Sequence, residues 1–200
     1  MSEEITKKAE RLLPLMRVPK VHWGASWDKE VCGVGRLEEL DYAMDVKKAK
    51  DNWKAFREAG ENLLFYGPYG SGKSALAAMF LRDLVDEQSI AGYWVNALRI
   101  QEMVIQKWQH DDQMTCWERA LTSPVLVIDD LVLTKEQKFQ DKQLEILVRA
   151  RLDNGAFTIV TANMDVDAMR ELYPALAGAM DGTYVQIEVD KWNFRTNDTY

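Results

Sequence analysis

Apolar and polar positions alternate along this chain in a way that separates short strands from longer helices. Between residues 37 and 58, apolar side chains recur at steps of three and four, which predicts one helix ended by Ala59-Gly60. From residue 62 onward, apolar runs typical of buried strands alternate with helical patterns. The predicted strands are Asn62–Tyr66, Gly92–Val95, Val125–Ile128, Phe157–Thr161 and Tyr184–Val189, and the predicted helices are Ala75–Asp86, Ala97–Trp108, Lys135–Leu152 and Asp165–Tyr173.

This alternation predicts an α/β fold with a five-stranded parallel sheet and helices on both faces. Upstream, residues 2–16 predict a short amphipathic helix that stops near Pro14, and residues 17–35 favour extended or irregular structure. We therefore divide the chain into an N-terminal extension, residues 1–36, and a core, residues 37–200. A length of 200 residues fits one domain of about 150 residues with a short appendage.

Composition and charge exclude several classes of protein. The chain is 47% hydrophobic and 28% charged, as globular proteins are. Its net charge of −7 disfavours a dedicated nucleic-acid binder but leaves a local basic face open. No apolar run approaches the ~18 residues of a membrane helix. Cys32 and Cys116 are far apart and fit reduced thiols. We expect a soluble, cytoplasmic protein without a membrane partner.

The segment after the first core strand carries the strongest chemical signal. Its eight residues, Gly67-Pro68-Tyr69-Gly70-Ser71-Gly72-Lys73-Ser74, match the phosphate-binding pattern G-x-x-x-x-G-K-[ST] in full. The glycines let backbone N–H groups turn inward around phosphate oxygens at a helix N-terminus. Lys73 can reach the β- and γ-phosphates, and the Ser74 hydroxyl can bind Mg²⁺. The segment predicts an ATP site with Mg²⁺ as cofactor.

Two further segments supply polar groups at strand ends. Asp129 and Asp130 end the third core strand, where Asp129 is expected to hold Mg²⁺ together with Ser74. Asp130 is a candidate general base for the attacking water, although glutamate is more usual at this position. Asn163 follows the fourth strand and is either a sensor that orients water or a cap of the next helix.

In the order of these elements the sequence resembles the AAA+ ATPases of the DnaC helicase-loader group, which are related to the DnaA initiators and the IstB transposition ATPases. The resemblance extends from about Leu12 to Arg195. It rests on Phe65–Ala77, on Val125–Leu131 and on Ile159–Met164. The Val-Pro segment near residue 18 resembles one that precedes the ATPase core in that group. By this resemblance, Val18 and Pro19 are candidate neighbours of the adenine ring.

The resemblance implies an ATP-dependent switch that forms homo-oligomers and assembles on a replicative helicase or on single-stranded DNA. The small size indicates a phage or mobile-element origin. Three departures affect this reading. Few residues precede the Val-Pro segment, residues 171–194 contain no arginine at the expected place of a trans-acting finger, and no helical lid follows the fifth strand. Because such a finger contributes about 10³–10⁵ in rate, its absence predicts slow unaided hydrolysis.

Several alternatives stay open at this stage. Arg149 is the first candidate to replace the missing finger, ahead of Arg151, Arg170 and Arg195. The protein is otherwise a transposition helper of IstB type, a nucleotide-dependent binding switch with little turnover, or a P-loop kinase. A kinase is disfavoured because the segment between the second and third strands offers only Arg99 and Arg119 as phosphate clamps.

Four basic residues define a possible surface for DNA. Lys135, Lys138, Lys142 and Arg149 fall on one face of a predicted helix, where they could neutralise DNA phosphates. The alternative is an ordinary solvated face, because acidic residues lie beside them. We favour the solvated face.

Overall fold

The computed structural model describes residues 11–27, 30–31, 35–36, 40–109, 115–132 and 138–190, and the structure below concerns these residues. The helices are α1 (Asp41–Asp51), α2 (Trp53–Glu58), α3 (Lys73–Gln88), α4 (Ile100–Gln109), α5 (Cys116–Thr122), α6 (Lys138–Asp153), α7 (Val166–Leu172) and α8 (Pro174–Met180). The strands are β1 (Glu30–Val31), β2 (Gly35–Arg36), β3 (Asn62–Tyr66), β4 (Tyr93–Asn96), β5 (Val125–Leu131), β6 (Phe157–Ala162) and β7 (Tyr184–Glu188).

Five of these strands form one parallel sheet in the order β4-β5-β6-β3-β7, and β1 and β2 pair as a small antiparallel hairpin. Each pairing in the large sheet is parallel, so all five strands end at the same edge. We call this the carboxyl edge, and the opposite one the amino edge. The predicted five-stranded parallel α/β fold is thereby confirmed.

The strands of this sheet are apolar on both faces because helices cover both sides. One face packs against α1 and α3, and its side chains include Leu63, Phe65, Val125, Val127, Phe157 and Ile159. The other face packs against α4 to α8, and its side chains include Leu64, Leu126, Ile128, Val160 and Ala162. All eleven are almost fully buried. The resulting core fixes the carboxyl edge, where the strand-end side chains emerge.

Residues 11–27 pack against this core beside β4 and α3. Residues 11–15 are helical, and a 3₁₀ turn follows at Lys20–His22. The backbone N–H of Trp94 donates to the Met16 carbonyl at 2.8 Å. The Arg82 guanidinium donates to the Trp23 and Ala25 carbonyls at 3.4 and 3.2 Å. These bonds hold the segment across the carboxyl edge.

The helices differ from the prediction at three places. The single helix predicted for residues 37–58 is two helices, because Asn52 leaves helical geometry while its amide donates to the Lys48 carbonyl at 2.9 Å. Helix α5 was missed, although Thr115 and Glu118 form a capping box at its start. Helix α8 was also missed; Pro174 occupies its first turn, a position that proline favours.

None of the helices in the described part of the chain is both long and apolar enough to span a bilayer.

Candidate functional site

The glycine-rich segment forms a tight loop between β3 and α3, at the carboxyl edge. Gly67 has φ 136°, and a Cβ atom there would lie 2.5 Å from the Val189 carbonyl oxygen. Gly72 has φ 95° in the left-handed region and precedes the first residue of α3. Side chains other than hydrogen are strained in such backbone. The two glycines therefore permit the loop to end at the N-terminus of a 16-residue helix, where the helix dipole favours anions.

Lys73 lies across this loop and is almost fully buried. Its ammonium donates to the Gly67 carbonyl at 2.9 Å and to the Pro68 carbonyl at 2.6 Å. It also lies 3.3 Å from the Ser71 hydroxyl, which is itself buried. The loop thus holds one positive charge at its centre, placed to pair with phosphate oxygens.

Ser74 and Asp129 meet although 55 residues separate them in the sequence. The Ser74 hydroxyl donates to Asp129 Oδ1 at 2.7 Å, and the Thr161 hydroxyl donates to the same oxygen at 2.8 Å. Burial raises the pKa of the Asp129 carboxyl, and the two hydrogen bonds act in the opposite direction. Hydroxyl and carboxylate oxygens are ligands that Mg²⁺ accepts in nucleotide sites. The residues present therefore fit a metal–nucleotide complex.

Asp130 is turned toward the same place by an irregularity in β5. The β5–β6 register shifts between Ile128 and Leu131, and Asp130 has φ 61°. Its backbone N–H donates to the Thr161 hydroxyl at 2.9 Å, and its carboxylate accepts from the Asn163 amide. Aspartate tolerates the left-handed region better than most residues. Strained backbone of this kind concentrates at functional sites.

A cavity of about 650 Å³ opens over these groups. Its volume is typical of small-molecule sites. Eight residues selected from the sequence line it: Tyr69, Gly70, Gly72, Lys73, Ser74, Asp129, Asp130 and Asn163. Gly67, Pro68 and Ser71 do not line the cavity and instead support Lys73 from behind.

Val18 and Pro19 are not part of this lining. The Val18 side chain is buried in the core, and its carbonyl accepts a hydrogen bond from Trp23 Nε1 at 2.8 Å. Pro19 lines a neighbouring cavity. The N-terminal segment does reach the site, but a few residues later, through Val21, His22, Gly24, Ala25 and Ser26. The 3₁₀ turn accounts for this shift, because it redirects the chain before it crosses α3.

The arginines that were candidates for a finger all lie outside the cavity. Arg149 donates to Glu145 at 2.8 Å and to the Ala175 carbonyl at 3.2 Å, and its side chain is half exposed. Arg151 is completely buried among backbone carbonyls. Arg170 pairs with Asp167 and Asp181. Arg195 falls outside the described residues. Within the described part of the chain, no arginine lines the cavity.

The basic face considered for DNA is described only in part. Lys135 lies outside the described residues, as does the side chain of Lys138. The two remaining members, Lys142 and Arg149, both pair with Glu145, at 3.1 and 2.8 Å. Their charge is therefore partly neutralised within α6.

Sequence reasoning missed two residues of the site. Thr161 joins Asp129 to the backbone of Asp130, and only its place two residues before Asn163 hinted at this. His22 lines the cavity and packs against Trp94, with ring centroids 5.9 Å apart. Burial lowers the pKa of His22, and the Asp129 charge acts against this. No sequence signal distinguished His22 from an ordinary histidine.

Comparisons with known proteins place the fold. No protein-family model matches the sequence, and no curated protein matches it. Among solved structures, the DnaC helicase loader is 21% identical with a TM-score of 0.72, covering 86% of this chain and 100% of that one. DnaI is 19% identical with a TM-score of 0.60, covering 76% and 86% of the two chains.

A third solved structure belongs to the replication initiator DnaA bound to AMPPCP and single-stranded DNA. It is 12% identical with a TM-score of 0.65, and the match covers 90% of this chain and 53% of that one. All three have the same core of parallel strands and helices as the present chain. The resemblance to these proteins is confirmed at the level of the fold: this chain has the α/β fold of the DnaC helicase loader and of DnaA.

Proposed function

We propose that this protein binds ATP with Mg²⁺ in the cavity at the carboxyl edge and acts as an AAA+ ATPase associated with DNA replication. The observation that carries the proposal is the convergence of Lys73, Ser74, Asp129, Asp130 and Asn163 around one cavity. These residues come from three separate segments of the sequence. The nucleotide bound in the DnaA structure supports the choice of ligand.

Each residue has a chemical task in this proposal. Lys73 and the loop N–H groups hold the β- and γ-phosphates, while Ser74 and Asp129 hold Mg²⁺, which neutralises charge on the phosphates when bound. Asp130 accepts a proton from water positioned by the Asn163 amide, which already contacts its carboxylate. The exposed Val21 and Tyr69 flank the cavity and offer apolar surface to the base. His22 to Ser26 replace Val18 and Pro19 as the neighbours of adenine.

The wider role follows from the proteins that share the fold. DnaC is a helicase loader, and DnaA is a replication initiator found on single-stranded DNA. We extend from these to a helicase-loader-like accessory protein that assembles with copies of itself on a replicative helicase or on single-stranded DNA. Within the N-terminal extension, residues 1–36, the described residues 11–27 pack on the core, residues 37–200, and residues 21–26 contribute one wall of the ATP cavity.

The same proposal includes slow ATP hydrolysis by the protein alone. Among the described residues no arginine lines the cavity, so none is placed to stabilise the charge that develops on the phosphate. The protein then works as a binding switch until a second subunit or a partner supplies a positive charge. Among the candidate arginines that the structure describes, Arg149 is the best-placed donor, since Arg151 is buried and Arg170 is paired with two carboxylates. The half-exposed Arg149 side chain can exchange Glu145 for a neighbour's phosphate.

ATP binding and hydrolysis by the purified chain test the proposal directly. We expect Mg²⁺-dependent ATP binding that Lys73→Ala weakens by at least about 100-fold, because a charge-assisted contact to phosphate is lost. The exposed Lys48→Ala is the matched control and should bind as the wild type does. Equal ATP binding by the wild type and Lys73→Ala would refute the proposed site.

Mixing two inactive variants tests Arg149 in trans. Lys73→Ala keeps Arg149 but loses tight ATP binding, while Arg149→Ala keeps the ATP cavity. Hydrolysis by the mixture above that of either variant alone would show that Arg149 acts on a neighbouring subunit. Wild-type turnover by Arg149→Ala alone would exclude it, without affecting the ATP site.

A further inference from the structure

A second cavity, of about 360 Å³, lies beside the ATP cavity at the carboxyl end of β4. Arg17 and Pro19 form one side, and Asn96 ends β4. The other lining residues are Arg99, in a second 3₁₀ turn (Ala97–Arg99), and Glu102, Met103 and Gln106 of α4. Asp129 lines both cavities. Crevices outside the carboxyl ends of parallel strands are where ligands bind in open α/β sheets. None of the functions proposed above uses this one.

Two arginines in this lining have no anionic partner among the described residues. Neither Arg17 nor Arg99 makes an ion pair with any carboxylate of the described residues, although Glu102 lines the same cavity. Arg17 has its Cζ 5.7 Å from the centroid of the Tyr93 ring, which holds the guanidinium beside the cavity. Arg17 also has φ 64°, a backbone conformation that costs free energy in a residue other than glycine. Guanidinium groups bind phosphate and carboxylate oxygens in bidentate fashion.

Trp94 supplies a second, independent observation. It lines the cavity, is 2% exposed, and its indole Nε1 is buried without an acceptor among the described residues. A buried donor left unpaired loses its hydrogen bond to water, so such groups commonly have a partner. Val95 and Met103 add apolar surface. The cavity therefore combines cationic groups, an unpaired donor and an apolar floor.

We propose that this cavity is a second binding site for a small phosphorylated ligand with a flat apolar part, of the size of a nucleoside monophosphate. Arg17 and Arg99 hold the phosphate, and the apolar floor receives the base. Asn96 and Gln106 offer amide groups to its polar edge. Glu102 and Asp129 limit the anionic charge that the site accepts, which favours one phosphate over a triphosphate.

The volume agrees with this class of ligand. Small-molecule sites range in volume from about 300 to 1,000 Å³. The second cavity, of about 360 Å³, lies near the lower end of this range and is smaller than the ATP cavity. Because Asp129 is shared by the two walls, a ligand in the second cavity is placed to alter ATP binding. Such coupling is reciprocal between two sites.

Calorimetric titration of the full-length Lys73→Ala chain tests the second site without interference from the first. AMP should bind, whereas adenosine should bind at least about tenfold more weakly, since it lacks the phosphate. Arg99→Gln and Arg17→Gln should each weaken AMP binding about tenfold or more. Glu102→Gln should strengthen it, because one repulsive charge is removed. Arg57→Gln, an exposed arginine bound to the Gly155 carbonyl, is the matched control and should change nothing.

The same titrations contain the results that would overturn the proposal. Equal binding of AMP to the control and to Arg99→Gln would place the ligand elsewhere, and absence of AMP binding would exclude the site. Binding of oligodeoxythymidine but not of AMP would also refute it, in favour of a DNA contact. Thermal unfolding of Arg17→Gln shows whether the variant folds, and Arg99→Gln decides the question if it does not. ATP binding by the wild type is measured separately, so the two proposals fail independently.

Discussion

The two edges of the parallel sheet hold buried charges in opposite ways. At the amino edge, Arg151 has no exposed surface, and its guanidinium donates to the Ala120 and Phe157 carbonyls at 2.6 Å each and to the Thr158 hydroxyl at 2.9 Å. At the carboxyl edge, Asp129 is 7% exposed, accepts from two hydroxyl groups and faces a cavity. One charge is enclosed by its partners, and the other is left open on one side.

This difference separates a structural cluster from a functional one. Burial lowers the pKa of Arg151 to about 10, so the group still carries its charge at neutral pH. Its acceptors are mostly backbone carbonyls at the end of α5 and the start of β6, which it links. Burial raises the pKa of Asp129, so the ionised form there is held at a cost in stability. A carboxylate that binds a metal ion, as proposed for Asp129, needs a negative charge that the protein leaves partly unpaired. The structural cation Arg151 instead has its charge satisfied by protein acceptors.

Removing the charge of Arg151 at the amino edge should reduce the free energy of unfolding more than the substitutions at Thr161, Asp129 and Glu145 do. Arg151→Met leaves several buried carbonyls unpaired, and we expect the free energy of unfolding to fall by about 3–5 kcal/mol. Arg149→Met, two residues away on the same helix and half exposed, should cost less than about 1 kcal/mol. Urea unfolding of the two variants measures the difference. Similar losses would show that Arg151 has no special structural role.

Loss of the Thr161 hydroxyl should have the next largest effect and should change both stability and activity. In Thr161→Val, the partly buried N–H of Asp130 loses its acceptor, and we expect a destabilisation of about 1–3 kcal/mol. Turnover of ATP should fall further than this loss explains, because Asp129 and Asp130 lose their common partner. Thr122→Val, an exposed hydroxyl on α5, serves as the control. Unchanged turnover would mean that Thr161 only supports the fold.

Neutralising the carboxyl-edge charge should stabilise the protein. Asp129→Asn keeps an oxygen that accepts from Ser74 and Thr161 but removes the buried charge, and we expect a gain of about 1 kcal/mol at pH 7. Because the pKa of Asp129 is raised in the folded state, the wild type should approach the variant in stability as the pH falls through that pKa. Unfolding of both proteins at pH 7 and at a series of lower pH values measures this. A loss of stability at pH 7 would contradict the comparison.

The smallest effect on stability is expected from substitution of Glu145, which lies in α6. Hydrogen bonds from Arg149, Lys142 and Tyr173 lower its pKa from 4.5 to about 2. Its contribution to stability is therefore fully present above about pH 4.5 and is lost as the pH falls toward 2. Glu145→Gln should flatten this part of the stability profile between pH 5 and pH 2. An unchanged profile would indicate that other carboxyl groups cause the acid unfolding.

Most of the fold could be predicted from local sequence patterns. The errors in the predicted helices also have local causes. The alternation of apolar runs and amphipathic segments marked all five strands of the large sheet, because a parallel sheet covered on both faces needs continuous apolar strands. The break at Asn52 was missed because apolar periodicity continues across it. Helices α5 and α8 were missed although a capping box and a proline marked their starts.

The candidate site divides in the same way. The sequence determined the phosphate loop, the carboxylates and Asn163, because their spacing and their places at strand ends are set by local chain geometry. Only the tertiary structure decided that Thr161 joins Asp129 to Asp130, and that His22 rather than Val18 reaches the cavity. It also decided that Arg151 is enclosed, while Arg17 and Arg99 line a second cavity and make no ion pair with the carboxylates of the described residues. Such contacts join residues far apart in the chain, and their strength depends on burial, which no local pattern records.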